Sequence, residues 1–178
     1  MPNSDLLSLI RTIPDYPKPG IQFRDITTLI SDAHGFGLAI ERMRDAILPH
    51  APTLIAGIEA RGFIFGAALA KEMGLGFVPI RKKDKLPGQT IGINYALEYG
   101  SDRIEIHADA VGVGDKIALI DDLIATGGTA VAATTLLRST GAEVVAAAFL
   151  VDLPELGGAA VLAKEDVPVV SLLAFDGH

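Results

Sequence analysis

Three times along this chain a continuous apolar run of strand length gives way to a stretch of helical spacing. Thr53–Ile58 precedes Arg61–Met73, Lys116–Ile120 precedes Thr129–Thr140, and Glu143–Asp152 precedes Leu156–Ala163. A strand that is apolar on both faces needs cover on both faces. Helices that cross over between parallel strands supply it. The expected fold is therefore α/β, a mostly parallel central sheet flanked by helices. Gly76–Ile80 and Val169–Phe175 fit as further strands. Gly35–Leu48 fits as an amphipathic helix, with Phe36, Ile40, Met43 and Ile47 on one face. Ligands of such sheets bind beyond the carboxyl ends of the strands. Chemistry is thus expected after Ile58, Ile80, Ile120 and Val151.

Composition narrows the reading. The 178 residues suit one domain spanning 1–178. Hydrophobic residues make up 49%, yet no apolar run reaches the roughly 18–20 residues of a membrane helix. The apolar content belongs to a buried sheet, and no membrane association is expected. Fifteen Lys and Arg against 22 Asp and Glu give a net charge of −7, which disfavours a nucleic-acid surface. Cysteine is absent, so disulfides, zinc–thiolate sites and thiol nucleophiles are excluded. His34, His50, His107 and His178 show no metal-ligand spacing. Met1-Pro-Asn-Ser-Asp5 has no basic-then-apolar leader pattern, and a cytoplasmic location is expected.

Two regions depart from the strand–helix alternation. Pro14, Pro17, Pro19 and Gly20 break regular structure near the N-terminus. The expectation there is a short helix over Asn3–Arg11 and an extended arm over Ile13–Ile30. In the middle, Ile91, Ile93, Tyr95, Leu97 and Tyr99 alternate with Gly92, Asn94, Ala96 and Glu98. A Tyr99-Gly-Ser-Asp102 turn leads to Ile104 and Ile106, the pattern of a β-ribbon.

The segment richest in chemistry is Ile117-Ala-Leu-Ile-Asp121-Asp122-Leu-Ile-Ala125-Thr126-Gly127-Gly128-Thr129. A buried strand ends in two adjacent carboxylates, and a small-residue turn then opens a helix. Glycines let successive N–H groups converge on an anion, and the helix N-terminus adds partial positive charge. Thr126 and Thr129 can donate hydroxyls. This is a cradle for one phosphate. Carboxylates beside a phosphate repel it, so the aspartates suit a diol, with or without Mg²⁺. Neither G-x-x-x-x-G-K-[ST] nor G-x-G-x-x-G is present.

That segment resembles the signature of the type I phosphoribosyltransferases. Further segments resemble the adenine-using branch of that family: Ile13–Thr27 its N-terminal arm, Glu59-Ala-Arg-Gly-Phe63 its pyrophosphate loop, Arg81–Gln89 and Ala96–Gly100 its mobile loop, and Pro168–Gly177 its last strand. The resemblance spans nearly the whole chain. It implies the type I phosphoribosyltransferase fold, with a small N-terminal hood over 1–34 and a flexible catalytic loop and ribbon over 81–107. It also implies a glycosyltransferase of purine salvage, which makes AMP and pyrophosphate from adenine and 5-phosphoribosyl-1-pyrophosphate with Mg²⁺. The Mg²⁺ is expected mainly on the substrate pyrophosphate, near Asp121 and Asp122, and the assembly is expected to be a homodimer.

The same resemblance assigns roles. Asp121 and Asp122 take the ribose hydroxyls, while Ala125, Thr126, Gly127, Gly128 and Thr129 take the 5′-phosphate. Glu59, Ala60 and Arg61 form the pyrophosphate loop, with a cis peptide expected at Glu59–Ala60. On its residues alone this loop is equally an ordinary helix N-terminus. Arg81, Lys82, Lys83 and Lys85 form a basic cluster that is either a solvated charge run or, by resemblance, a pyrophosphate contact through Arg81, Lys82 and Lys85, with Arg81 reaching from the neighbouring subunit. The family commonly has glycine where Asp84 stands. Glu98 is either a solvent-facing strand residue or the candidate general acid/base. Phe23 is expected to stack on the purine, with the Gln22 and Arg24 backbone reading its 6-amino edge; the bland reading is a loop plugging the sheet edge. Two rivals are a sister enzyme for 6-oxopurines and a non-enzymatic phosphoribosyl pyrophosphate sensor.

Overall fold

In a computed structural model, residues 3–96 and 100–177 are described. The elements run in the order α1 (Ser4–Leu7), β1 (Arg11–Pro14), β2 (Gln22–Asp25), α2 (Thr27–Ser31), α3 (Ala33–Ile47), β3 (Leu54–Ile58), α4 (Gly62–Met73) and β4 (Gly76–Lys82). They continue with β5 (Thr90–Ala96), β6 (Ser101–His107), β7 (Lys116–Ile124), α5 (Gly128–Arg138), β8 (Glu143–Asp152), α6 (Gly158–Ala163) and β9 (Val169–Ala174).

Seven strands form one sheet in the order β5-β6-β4-β3-β7-β8-β9. The five strands β4, β3, β7, β8 and β9 are parallel, and β6 and β5 add an antiparallel ribbon. This is the α/β architecture expected from the sequence, a mostly parallel central sheet flanked by helices. Side chains alternate across the sheet and feed two cores. Ile55, Ala118, Ile120 and Ala148 meet α3 and α4 on one face, while Ala56, Ile58, Leu119 and Ala147 join Ala133 and Leu137 of α5 on the other. Continuous apolar strands follow from this two-sided burial.

Three glycines let α4 lie close on the sheet. A Cβ on Gly57 would come within 2.8 Å of the Phe77 ring, one on Gly66 within 2.7 Å of the same ring, and one on Gly62 within 2.9 Å of the Ile120 carbonyl. Real Cβ contacts are longer, so larger side chains would push the helix off β3 and β7.

The N-terminal region differs from the expected helix and arm. The helix is only Ser4–Leu7, and residues 11–14 and 22–25 pair as an antiparallel hairpin before α2. Asp25 explains this: it is buried, paired with Arg11 across the hairpin, and receives the Thr27 N–H at 3.0 Å and the Thr27 hydroxyl at 2.7 Å. Arg24 ties the hairpin to the C-terminal segment, donating to the carbonyl of Asp176 at 2.9 Å and lying over the Phe175 ring.

Candidate active site

The crevice lies where the chain changes direction across the sheet. From β3 the chain passes to β4 on one side; from β7 it passes to β8 on the other. Their carboxyl ends therefore diverge and leave a gap, the usual ligand position in open α/β sheets. Pairing of β3 with β7 stops at Gly57 opposite Ile120. Asp121 continues to pair with Phe149 of β8, so both aspartates stay in a strand while one edge of it faces the gap.

Gly62 and Arg61 begin α4 across this gap. Arg61 Nε is 2.9 Å from Asp122 Oδ2. The approach is not aligned as a hydrogen bond, because that buried oxygen has no hydrogen-bond donor. Asp121 Oδ1 accepts from the Asp122 N–H at 2.9 Å. Burial raises the Asp121 carboxyl well above the usual range, and repulsion by Asp122 adds to this. Burial also raises Asp122, with Arg61 pulling the other way. Two acids held here are poised for an incoming cation or hydroxyl donors.

The peptide Glu59–Ala60 is cis, as the resemblance implied. Burial pushes the Glu59 carboxyl up, but a bond from the Lys82 N–H at 2.9 Å and Arg81 Nε at 3.2 Å outweigh it and hold it below the usual range. Arg81 also donates to the Lys85 carbonyl at 3.0 Å. Arg81 is thus engaged within its own chain. The strand reading also needs correcting: β4 does not stop at Ile80 but carries Arg81 and Lys82 into antiparallel pairing with Glu105 and Ile104 of β6. These two cations are strand residues. Asp84, where the family commonly has glycine, sits at φ +62°, a conformation glycine adopts without penalty.

Ala125–Thr129 line a cavity of about 210 Å³ together with Asp121 and Phe149. Gly127 is left-handed at φ +85° and precedes α5. The N-terminal N–H groups of an α-helix have no intrahelical partner and favour anions. The loop is braced from behind, where the Gly158 N–H donates to the Ala125 carbonyl at 2.9 Å. A Cβ on Gly158 would stand 2.3 Å from that oxygen and 2.7 Å from the Gly127 nitrogen.

A second cavity, about 300 Å³, joins Glu59, Arg61, Lys82, Asp121 and Asp122 with Thr129. Tyr95 and Asp102, read from the sequence only as ribbon and turn residues, also line it. They are cross-strand partners in the ribbon. The apolar face of the ribbon, with Ile91, Ile93 and Tyr95, packs on the core beside α5. Glu98 lies outside the described residues. The Phe23 ring of the hood lies 5.7 Å from the Arg61 guanidinium and edge-on to Tyr16, so the hood reaches the crevice. The Arg24 side chain turns instead to the C-terminal segment.

The phosphoribosyl transferase domain model matches residues 30–167. An adenine phosphoribosyltransferase of Sphingopyxis alaskensis is 57% identical over 176 residues, which is 99% of this chain and 96% of that protein. The crystal structure of adenine phosphoribosyltransferase from Thermoanaerobacter pseudethanolicus superposes with a TM-score of 0.91 at 45% identity, covering 96% of this chain and 98% of that one. The Saccharomyces cerevisiae enzyme, solved with adenine and an imino-altritol bisphosphate, gives 0.87 at 36% identity, covering 95% and 97%. This chain belongs to the phosphoribosyltransferase family, and within it to the adenine phosphoribosyltransferases.

Proposed function

We propose that this protein transfers a phosphoribosyl group from 5-phosphoribosyl-1-pyrophosphate to adenine, releasing AMP and pyrophosphate. The observation that carries this is the convergence of the paired aspartates in the last part of β7, a Thr-Gly-Gly-Thr helix start and the Glu59-Ala-Arg loop on two adjoining cavities that share Asp121 and Thr129. Separate subsites for a diol, a monophosphate and a second anion match the donor group by group.

In this reading N9 of adenine forms a bond to the anomeric carbon while the bond from that carbon to the pyrophosphate oxygen breaks. The pyrophosphate leaves with the electron pair. The N9 proton passes to a base, for which Glu98 is our candidate. Charge builds up on the ribose, and Asp121 and Asp122 stabilise it while holding the hydroxyls. Arg61, Lys82, Lys85 and, across a homodimer, Arg81 meet the pyrophosphate. Ala125–Thr129 anchor the 5′-phosphate, and Phe23 stacks on the base. Closure of the 81–98 segment excludes water that would hydrolyse the donor. The cytoplasm is the proposed site of action.

Mg²⁺ fits the donor set. It prefers oxygen ligands and is commonly held by one or two carboxylates plus substrate phosphates. Among the described residues no group of three or more metal-ligating side chains occurs, but Asp122 Oδ2 is buried without a hydrogen-bond donor beside Asp121. The substrate pyrophosphate would carry most of the ion's ligands, with Asp121 and Asp122 beside it, and the ion would neutralise charge on the leaving group.

The test is a spectrophotometric assay with 5-phosphoribosyl-1-pyrophosphate and Mg²⁺, offering adenine, hypoxanthine, guanine and xanthine in parallel. AMP from adenine alone is the expected result. Turnover of a 6-oxopurine would keep the donor site and overturn the base assignment. Donor binding without turnover would favour a sensor.

A further inference from the structure

Among the described residues that line the second cavity, two are cations, and each faces a carboxylate. Arg61 faces Asp122, and Lys82 Nζ stands 3.3 Å from Asp102 Oδ2. The second pair is the more open, with side chains 57% and 25% exposed. Asp102 comes from the ribbon, and its position is well fixed. Its other oxygen accepts from the Arg103 N–H at 2.8 Å, and Tyr95 directly across the ladder places its hydroxyl 3.5 Å from Oδ2. Lys82 is anchored at its backbone, where its N–H is held by Glu59. Only the side chain of Lys82 is left to move.

A polyphosphate entering this crevice has to win Lys82 from Asp102. An exposed ion pair is weak enough to exchange, and a doubly charged phosphate is the stronger acceptor. We propose that Asp102 is a positioning residue for pyrophosphate: it holds the Lys82 ammonium at the crevice while the site is empty and takes it back as pyrophosphate leaves. The inference rests on the function proposed above. It adds a counter-anion that limits product affinity and shortens product residence. The Arg103 N–H holds the Asp102 carboxyl below the usual range most strongly; burial opposes this, and Lys82 lowers it further, so Asp102 is ionised at neutral pH.

The test compares the full-length protein with Asp102→Asn, which keeps an acceptor for the Arg103 N–H. Magnesium pyrophosphate is the titrant in calorimetry, and steady-state rates give kcat and KM separately. The expected result is pyrophosphate binding tightened about two- to fivefold, the scale of an exposed ion pair. KM for the donor and kcat should fall together. In a Lys82→Met background, Asp102→Asn should change pyrophosphate affinity no further. Equal affinity in the wild type and Asp102→Asn would overturn the proposal. So would the same tightening without Lys82, because Asp102 would then act by simple repulsion. A wild type that makes no AMP would overturn the parent reading and this one with it, whereas an active wild type with an unchanged Asp102→Asn overturns this one alone.

Discussion

Arg61 Nε stands 2.9 Å from Asp122 Oδ2, yet the oxygen is left without an aligned donor. The guanidinium supplies charge and leaves a lone pair for a ligand. Asp122→Asn removes that charge but keeps the shape. It should lower kcat/KM at least tenfold with the fold intact. Near-normal turnover would remove Asp122 from the ribose site.

Asp121 carries a stability signature of its own. Its folded-state pKa is raised, so the ionised form is disfavoured by folding. Stability from this group is complete below the unfolded value near 3.8 and is lost as pH rises through the raised one. Asp121→Asn should therefore stabilise the protein at neutral pH by about 1–3 kcal/mol, the scale of a buried polar penalty, while activity falls. Thermal melts at pH 7 and pH 4 check this, because the gain should shrink at the lower pH.

Gly158 is remote in sequence from the 125–129 loop but touches its back. Gly158→Ala places a methyl 2.3 Å from the Ala125 carbonyl oxygen, so the loop has to shift. Overpacking of this kind costs about 1–3 kcal/mol. The expected kinetic result is a KM for the phosphoribosyl donor raised about tenfold, with KM for adenine less affected. An unchanged donor KM would show that the loop is not braced from α6.

The hood should loosen in acid before the sheet does. Arg11 lowers Asp25 most, and Thr27 helps through its hydroxyl and N–H; burial opposes them, leaving a pKa near 2 against an ordinary 3.8. Stability from a lowered carboxylate is present above the unfolded pKa and is lost as pH falls through the folded one. The window is thus about pH 4 down to about 2. Asp25→Ala should cost about 1–3 kcal/mol and raise KM for adenine more than for the donor. Hydrogen exchange localised to residues 11–25 would show the same loosening.

The sheet and both signature turns were legible because their pattern is local. Lys116–Ile120 is apolar at every position but its first, and the Asp-Asp to Thr-Gly-Gly-Thr passage follows within nine residues. The hood was only partly legible. Residues 8–11 lie close to a helical segment, but Arg11 leaves it to pair with Asp25, and tertiary pairing overrides local propensity. Asp102 reads as a turn residue in sequence. Its partner Lys82 is twenty positions away and arrives only because β4 runs on past Ile80 to meet β6. Gly158 is silent for the same reason, since its contact with Ala125 depends on how α6 returns beneath α5.

The two halves of the crevice are mounted differently. Asp121 and Asp122 sit inside a ladder that continues to Ile124 opposite Asp152. Lys82 belongs to a strand whose ladder with the ribbon is short: Arg81 with Glu105 and Lys82 with Ile104, extended by the Lys83 N–H to the Arg103 carbonyl at 3.1 Å. The anionic side is an anvil, fixed by the middle of the sheet. The cationic side rests on a shorter seam, made of the same residues that carry the positive charge, so any shift of the ribbon there would re-aim those charges.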